Sequence, residues 1–254
     1  EAVEVNFDGI TYAKGASTLK QLVAWVGIEE FMAGLRAYFR AHAFDNSEFA
    51  DLLGSLERAS GRELDSWAKE WLQTSGVNTL TPEFTTGEDG TFTGFAVQQS
   101  AAAEFPTLRR HRIGIGLYDV VEGRLVRRTG LETDVRGELT EIPELVGERQ
   151  PDLLLLNDGD LTYAKIRLDE RSLATAIEHV DEIDDSLARA LVWGAAWDMT
   201  RDAEMAATDF VELVLRGIAT ETDQTAVTAL PRYARTAVSH YSDPAHRDEL
   251  RARR

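Results

Sequence analysis

A single tyrosine is the clearest chemical signal in this sequence. Residues 10–17 read Ile-Thr-Tyr-Ala-Lys-Gly-Ala-Ser, so the phenol of Tyr12 comes directly before the start of a helical pattern. A hydroxyl in such a position can donate a hydrogen bond to negative charge that develops on a substrate. A half-buried tyrosine bonded to a nearby carbonyl would explain the same residue. The local sequence leaves both interpretations open, since nothing nearby could do the rest of a reaction.

The five histidines show no metal-binding arrangement. No two of them have the i, i+4 spacing with which one helix face binds zinc, and the sequence has no H-E-x-x-H motif. We therefore predict surface or interface positions for all five, which are His42, His111, His179, His240 and His246.

Two other segments have simpler interpretations than a ligand site. Gly114-Ile115-Gly116 is similar to part of a nucleotide-binding loop, but Asp119 stands in place of the third glycine and the segment alternates like a strand. Residues 157–160 read Asn-Asp-Gly-Asp and offer clustered oxygens, yet the later acidic residue of an EF-hand loop is missing. We interpret the first as a strand and the second as a β-turn.

Periodicity predicts helices, then strands, then helices again. From Gly15 to about Gly76 apolar residues recur with the helical period, which predicts four helices. The period then changes to two, and short segments such as 111–117 alternate as half-buried strands do; residues 153–156 and 163–168 are interpreted as a closing hairpin. From about Glu170 the helical period returns, with one face predicted at Leu187, Ala190, Leu191, Gly194 and Ala195. The tryptophans fit core positions.

Composition excludes several classes of function. The 254 residues carry a formal charge of −17, from 27 basic and 44 acidic residues, which argues against a nucleic-acid surface. There is no cysteine, no apolar run long enough for a membrane span and no signal-peptide pattern. We expect a cytoplasmic protein without nucleic-acid or membrane partners. Because the sequence starts at Glu1 and stops in mid-pattern at Arg254, we also expect a piece of a longer chain.

The residues around Tyr12 strongly resemble the M1 family of zinc aminopeptidases, the aminopeptidase N group. The likeness rests on residues 7–19, continues through Gly27, and returns at Trp67, Trp71 and Gly76, the W-x-x-x-W and glycine pattern that closes the family's catalytic domain. Residues 157–166 and 191–198 resemble the actinobacterial branch. The resemblance covers essentially the whole chain.

The resemblance implies a multidomain α+β protein. Residues 1–77 would be the helical end of a thermolysin-like catalytic domain, 78–169 a small antiparallel β-sandwich, and 170–254 the truncated start of a C-terminal α-helical array. Tyr12 matches the catalytic tyrosine, which stabilises the oxyanion formed when zinc-activated water attacks the first peptide bond. Lys14 shares the motif and needs only a structural role.

The same resemblance implies that this chain is a C-terminal fragment without metal ligands. The family's zinc motif and its substrate amino-terminus segment would precede Glu1, so zinc belongs to the intact parent, as do its peptide substrates, and the fragment itself should be inactive. Its partner would be the missing amino-terminal and catalytic portion. An alternative is a catalytically dead relative that serves as a scaffold or as a peptide- or protein-binding module. A fragment should also expose apolar surface on its first four helices.

Overall fold

The computed structural model describes residues 10–252, and four helices open this part of the chain. A π-helical turn, Ile10–Lys14, runs directly into α1. Two of the helices end at glycines, as the sequence predicts. Gly27 ends α1 and Gly61 ends α3, both with positive φ, where other residues would be strained. The helices are α1 (Gly15–Val26), α2 (Ile28–Ala41), α3 (Phe49–Ser60) and α4 (Asp65–Leu72).

Two β-sheets follow the helices. One has the strand order β5-β2-β1-β7 and the other β4-β3-β6. Predicted turns join the long hairpins: Gly90 lies in the β1–β2 turn, and Glu122 and Gly123, both with positive φ, form the two-residue β3–β4 turn. The strands are β1 (Asn78–Thr86), β2 (Phe92–Ala101), β3 (His111–Val121), β4 (Arg124–Val135), β5 (Leu139–Glu141), β6 (Leu153–Leu156) and β7 (Lys165–Ile166).

The predicted closing hairpin is wrong, because its two strands lie in different sheets. β6 pairs antiparallel with β3, whereas β7 pairs with β1 and runs parallel to it. All four leucines of β6 are buried, so this strand is covered on both faces and shows no alternation. The turn at residues 157–160 therefore carries the chain from one sheet to the other.

Five helices complete the described chain. Aspartates at positions 169, 185 and 223 accept hydrogen bonds from backbone N–H groups and so cap α5, α6 and α8. The helices are α5 (Glu170–His179), α6 (Ser186–Arg201), α7 (Ala207–Gly217), α8 (Gln224–Thr236) and α9 (Arg247–Ala252). With β1 starting at Asn78 and α5 at Glu170, the three-domain division at these points stays a prediction.

The predicted face of α6 is only partly buried. Leu187, Ala190 and Gly194 are exposed, whereas Ala195 is buried and Leu191 packs half-buried against the core. Other side chains of α6 also pack inward. These include Ala188, Val192, Ala196 and Met199. Because α6 is apolar nearly all round, its periodicity cannot say which side the protein covers.

The apolar core forms one large and one smaller principal cluster. The smaller cluster joins α1 to α4 around Leu22, Leu56 and Trp67, while the larger runs without a break from the sheets into α5–α8. Four tryptophans are buried and Trp197 is half-buried, as predicted. The first four helices and the loops between them also expose large apolar side chains, as expected: Leu19, Ile28, Met32, Phe39, Phe44, Phe49 and Leu72. Within the described part of the chain, none of the helices combines the length and apolar character that crossing a bilayer requires.

The glycines of β3 leave room for the 157–160 turn, and this makes a prediction about stability. A Cβ at Gly114 would lie 2.1 Å from the backbone oxygen of Asp158. We expect Gly114→Ala to lower the free energy of unfolding by about 2–3 kcal/mol, because the strand is held in its sheet and the Asp158 N–H holds the turn to it by donating to the Gly114 carbonyl at 3.1 Å. Gly194→Ala is the matched control, since a Cβ there meets nothing within 4 Å on an exposed helix face. It should raise stability by about 0.5–1 kcal/mol. Urea unfolding of both variants checks the pair, and equal stabilities would contradict it.

Candidate functional site

Tyr12 lies at the protein surface, in the π-helical turn that leads into α1. The residue is 66% exposed. Tyr12 is therefore exposed rather than half-buried. A phenol held on the end of a helix can donate a hydrogen bond to a charged oxygen, and this is the chemistry that its position allows.

An open apolar groove of about 460 Å³ runs beside α1. Its walls come from α1 and α4 together with the start of α3, and they include Lys14, Leu19, Phe49, Trp67 and Leu72. Lys14 supplies the cation at this groove, and its ammonium lies 6.0 Å from the centre of the Tyr163 ring. Burial and, second, the charge of Arg109 lower the pKa of Lys14 below its ordinary value.

Arg109 is a buried guanidinium at the junction of α4 and the first sheet. Its Nε donates to the backbone oxygen of Glu70 at 3.0 Å, and Nη1 donates to Asn78 Oδ1 at 3.1 Å. Nη2 donates to Thr74 Oγ1 at 2.8 Å and to the backbone oxygen of Ser75 at 2.9 Å. Because all three nitrogens are occupied within the protein, we assign Arg109 a structural role.

His111 is fully buried beneath this junction, so the surface or interface position predicted for it is wrong. Its Nε2 lies 3.1 Å from Gln99 Oε1 and its Nδ1 lies 2.7 Å from Thr162 Oγ1. Since an amide oxygen only accepts, Nε2 carries the proton and Nδ1 accepts from the threonine hydroxyl. Burial, followed by the charge of Arg109, lowers the pKa of His111 to about 3. The ring is neutral at physiological pH.

The sequence gives no sign of this junction, because the residues that form it are far apart in the chain. Gln99 precedes His111 by 12 residues and Thr162 follows it by 51. The other four histidines are exposed or half-exposed, which agrees with the surface positions predicted for them. Among residues 10–252, no three histidine, aspartate or glutamate side chains come together where they could hold a metal ion.

Both ends of the chain match models of known protein families. Residues 1–71 match the model of the peptidase family M1 domain, and residues 153–254 match that of the ERAP1-like C-terminal domain. Aminopeptidase N of Streptomyces lividans is 54% identical over 99% of this chain. The chain belongs to peptidase family M1. Aminopeptidase N of Lactococcus lactis is 39% identical over 83 residues, which are 32% of this M1 chain and 10% of that protein.

The M1 chain spans 30% of the length of the Streptomyces aminopeptidase N. Among solved structures, Legionella pneumophila aminopeptidase A in complex with aspartic acid superposes with a TM-score of 0.59 and 15% identity. That alignment covers 97% of this chain and 29% of the other. At this identity the likeness shows the fold alone: helices, small sheets and helices in one chain. M1 peptidases depend on zinc, but the described residues do not form a zinc site, so we derive no step through the metal.

The buried His111 predicts how the stability of this M1 chain depends on pH. Its pKa is about 3 in the folded chain and about 6.5 in an unfolded one. Between these values the unfolded chain binds more protons, so stability is complete above about pH 6.5 and falls as the pH is lowered, by up to about 1.4 kcal/mol per pH unit. Urea unfolding between pH 6.5 and 4.5 measures this slope.

Two variants isolate the contribution of His111. His111→Gln removes the titrating ring and should flatten the slope, whereas His240→Gln, at an exposed position, should leave the slope as it is. An unchanged slope in His111→Gln would show that other groups cause it.

Proposed function

We propose that this chain is the part of an M1 zinc aminopeptidase that carries the catalytic tyrosine, and that the intact enzyme removes amino-terminal residues from peptides. The observation that carries the proposal is the position of Tyr12. It precedes α1 within the stretch that matches the M1 peptidase domain, at an exposed position. The 54% identity to an aminopeptidase N over nearly the whole chain supports the same activity.

In this proposal Tyr12 acts by donating a hydrogen bond to the transition state. When water attacks a peptide carbonyl, negative charge develops on the carbonyl oxygen. The phenolic hydroxyl of Tyr12 donates to that oxygen, and the proton stays on the phenol. A donor that is already in place binds the oxyanion more strongly than the neutral carbonyl, and this difference lowers the barrier.

Zinc and the rest of the catalytic apparatus lie outside the residues described here. The metal supplies polarisation and activation of water when it is bound in the intact enzyme. The described residues supply the tyrosine, the helix that carries it and the sheet against which this helix packs. Their peptide substrates and the remaining catalytic portion are therefore the partners that we propose.

Replacing the tyrosine hydroxyl tests this role in the intact enzyme. We expect Tyr12→Phe to lower kcat about 10²- to 10³-fold and to change KM only slightly, because the lost hydrogen bond forms only in the transition state. Steady-state hydrolysis of an aminoacyl-anilide gives both constants. Tyr241→Phe removes a hydroxyl in the C-terminal helical region and should leave both constants unchanged. An unaltered kcat in Tyr12→Phe would remove this residue from the mechanism.

The chain in isolation provides a second test. We expect residues 1–254 to bind no stoichiometric zinc and to hydrolyse no aminoacyl-anilide, since the described residues bring no ligand set together. Metal analysis after dialysis against zinc, combined with an activity assay, measures both properties. Tight zinc binding with robust hydrolysis would contradict the proposal. An intact protein that retains neither property would instead be a scaffold.

A further inference from the structure

The helix that carries Tyr12 is hydrogen-bonded to a strand of the sandwich through Gln21. This side chain is fully buried, and its amide pairs with the backbone of Arg112 in both directions. Gln21 Oε1 accepts from the Arg112 N–H at 2.9 Å, and Nε2 donates to the Arg112 carbonyl at 3.2 Å. β6 pairs with β3 only from Ile115 to Tyr118, so the edge of β3 at Arg112 is left for Gln21. The side chain thus takes the place of a neighbouring strand.

The turn between the sheets contacts α1 at two further points. Lys20 Nζ donates to the backbone oxygen of Gly159 at 3.2 Å and to Asp160 Oδ2 at 3.3 Å. Near the start of the helix, Lys14 lies against the ring of Tyr163. These contacts are exposed and individually weak. Together they hold α1 at two points along its length and so restrict its rotation.

This turn is a rigid support. Asn157 and Asp160 both have positive φ, which costs free energy in residues other than glycine and persists only where the surroundings impose it. The Asn157 amide accepts from the Thr162 N–H at 2.9 Å and donates to the Thr162 carbonyl at 3.0 Å, which closes the turn. The carboxylate of Asp158 is buried and accepts from the Tyr118 hydroxyl at 2.9 Å.

Trp25 fixes the other end of α1. Its ring is buried between two guanidinium groups, with Arg62 at 4.6 Å and Arg136 at 5.0 Å from the ring centre. Arg62 and Arg136 both pair with Asp134 on β4. Contacts to the sandwich therefore extend along the whole of α1.

We infer that Gln21 is a positioning residue for the hydroxyl of Tyr12, an inference that rests on the proposed function. The backbone is helical without a break from the turn at Ile10–Lys14 through α1. Gln21 follows Tyr12 by nine residues, about 13 Å along a helix axis. A hydrogen-bonded helix moves as one body, so loss of the anchor at Gln21 shifts Tyr12 relative to the oxygen that it serves. The sandwich thereby acts on catalysis without touching the substrate.

A double-mutant cycle in the intact enzyme tests this inference. Gln21→Met keeps the side-chain volume but removes both hydrogen bonds to Arg112. We expect it to lower kcat roughly tenfold or more, as misplacement of a catalytic group does, with KM within about twofold of the parent. In the Tyr12→Phe background the same change should alter kcat by less than about twofold, because the hydroxyl that Gln21 positions is already gone.

A matched control separates positioning from general loss of structure. Ser172 is buried and accepts a hydrogen bond from the Leu154 N–H at 2.8 Å, in the contact between α5 and β6. Ser172→Ala should lower the melting temperature, as Gln21→Met does, while leaving kcat unchanged. If Gln21→Met does not fold, Lys20→Met, at an exposed anchor of the same helix, is tested in the same cycle.

Three results would overturn the inference. One is an unchanged kcat in Gln21→Met with Tyr12 present. The second is an equal fold-decrease with and without the Tyr12 hydroxyl, which would mean that Gln21 acts on structure alone. The third is a Tyr12→Phe enzyme with the parental kcat; this result refutes the proposed role of the tyrosine itself and is read from the single variant.

Discussion

The close approach of Asp158 to β3 is the constraint on which the rest of this structure depends. Gly114 and Gly116 have no side chains, so the turn at 157–160 lies directly on the strand and the Asp158 carboxylate is buried beside Tyr118. From this position the chain passes from one sheet to the other, Thr162 reaches His111, and Gly159 and Asp160 reach Lys20. Two glycines thus determine where the sheets, the buried histidine and the first helix meet.

Buried arginines join parts of the chain that are distant in sequence. Arg109 donates its hydrogen bonds to backbone and side-chain oxygens rather than to a carboxylate. After the effect of burial, its charge lowers the pKa of both Lys14 and His111. Arg189, in contrast, pairs with a carboxylate, that of the buried Glu221 side chain, at 2.9 Å. This hydrogen bond is the main reason that the pKa of Glu221 falls to about 2. The pair holds α6 to the residues that follow α7.

Some of this architecture is readable from the sequence because it depends on local pattern. The stripe through Leu22, the stop at Gly61 and the turn at Glu122-Gly123 each follow from the period or backbone preference of a few neighbouring residues. The candidate site was found in the same way, since the residues that single out Tyr12 are contiguous.

The rest could not be predicted because it depends on partners distant in the chain. The four leucines of β6 indicate only that the strand is buried. That β6 and β7 lie in different sheets depends on the close approach of the turn to Gly114 and Gly116. No residue near His111 in the sequence indicates that its ring is buried or which side chains it contacts. Gln21 reads as an ordinary polar residue on an amphipathic helix, although in the structure it completes the edge of a strand.

The position of Tyr12 explains why such distant contacts matter to an exposed residue. A hydrogen-bond donor contributes fully to catalysis only when it is held within about 0.5 Å of its productive position, and a mobile side chain at a helix end would first have to be ordered. Tyr12 is 66% exposed, so burial covers only the smaller part of its surface. In the role that we propose for Tyr12, order also comes through the backbone, from a helix fixed along its length by Lys14, Gln21 and Trp25. In the mechanism that we propose, the β-sandwich is the support that positions the tyrosine, and its contacts with α1 contribute to catalysis together with the hydroxyl.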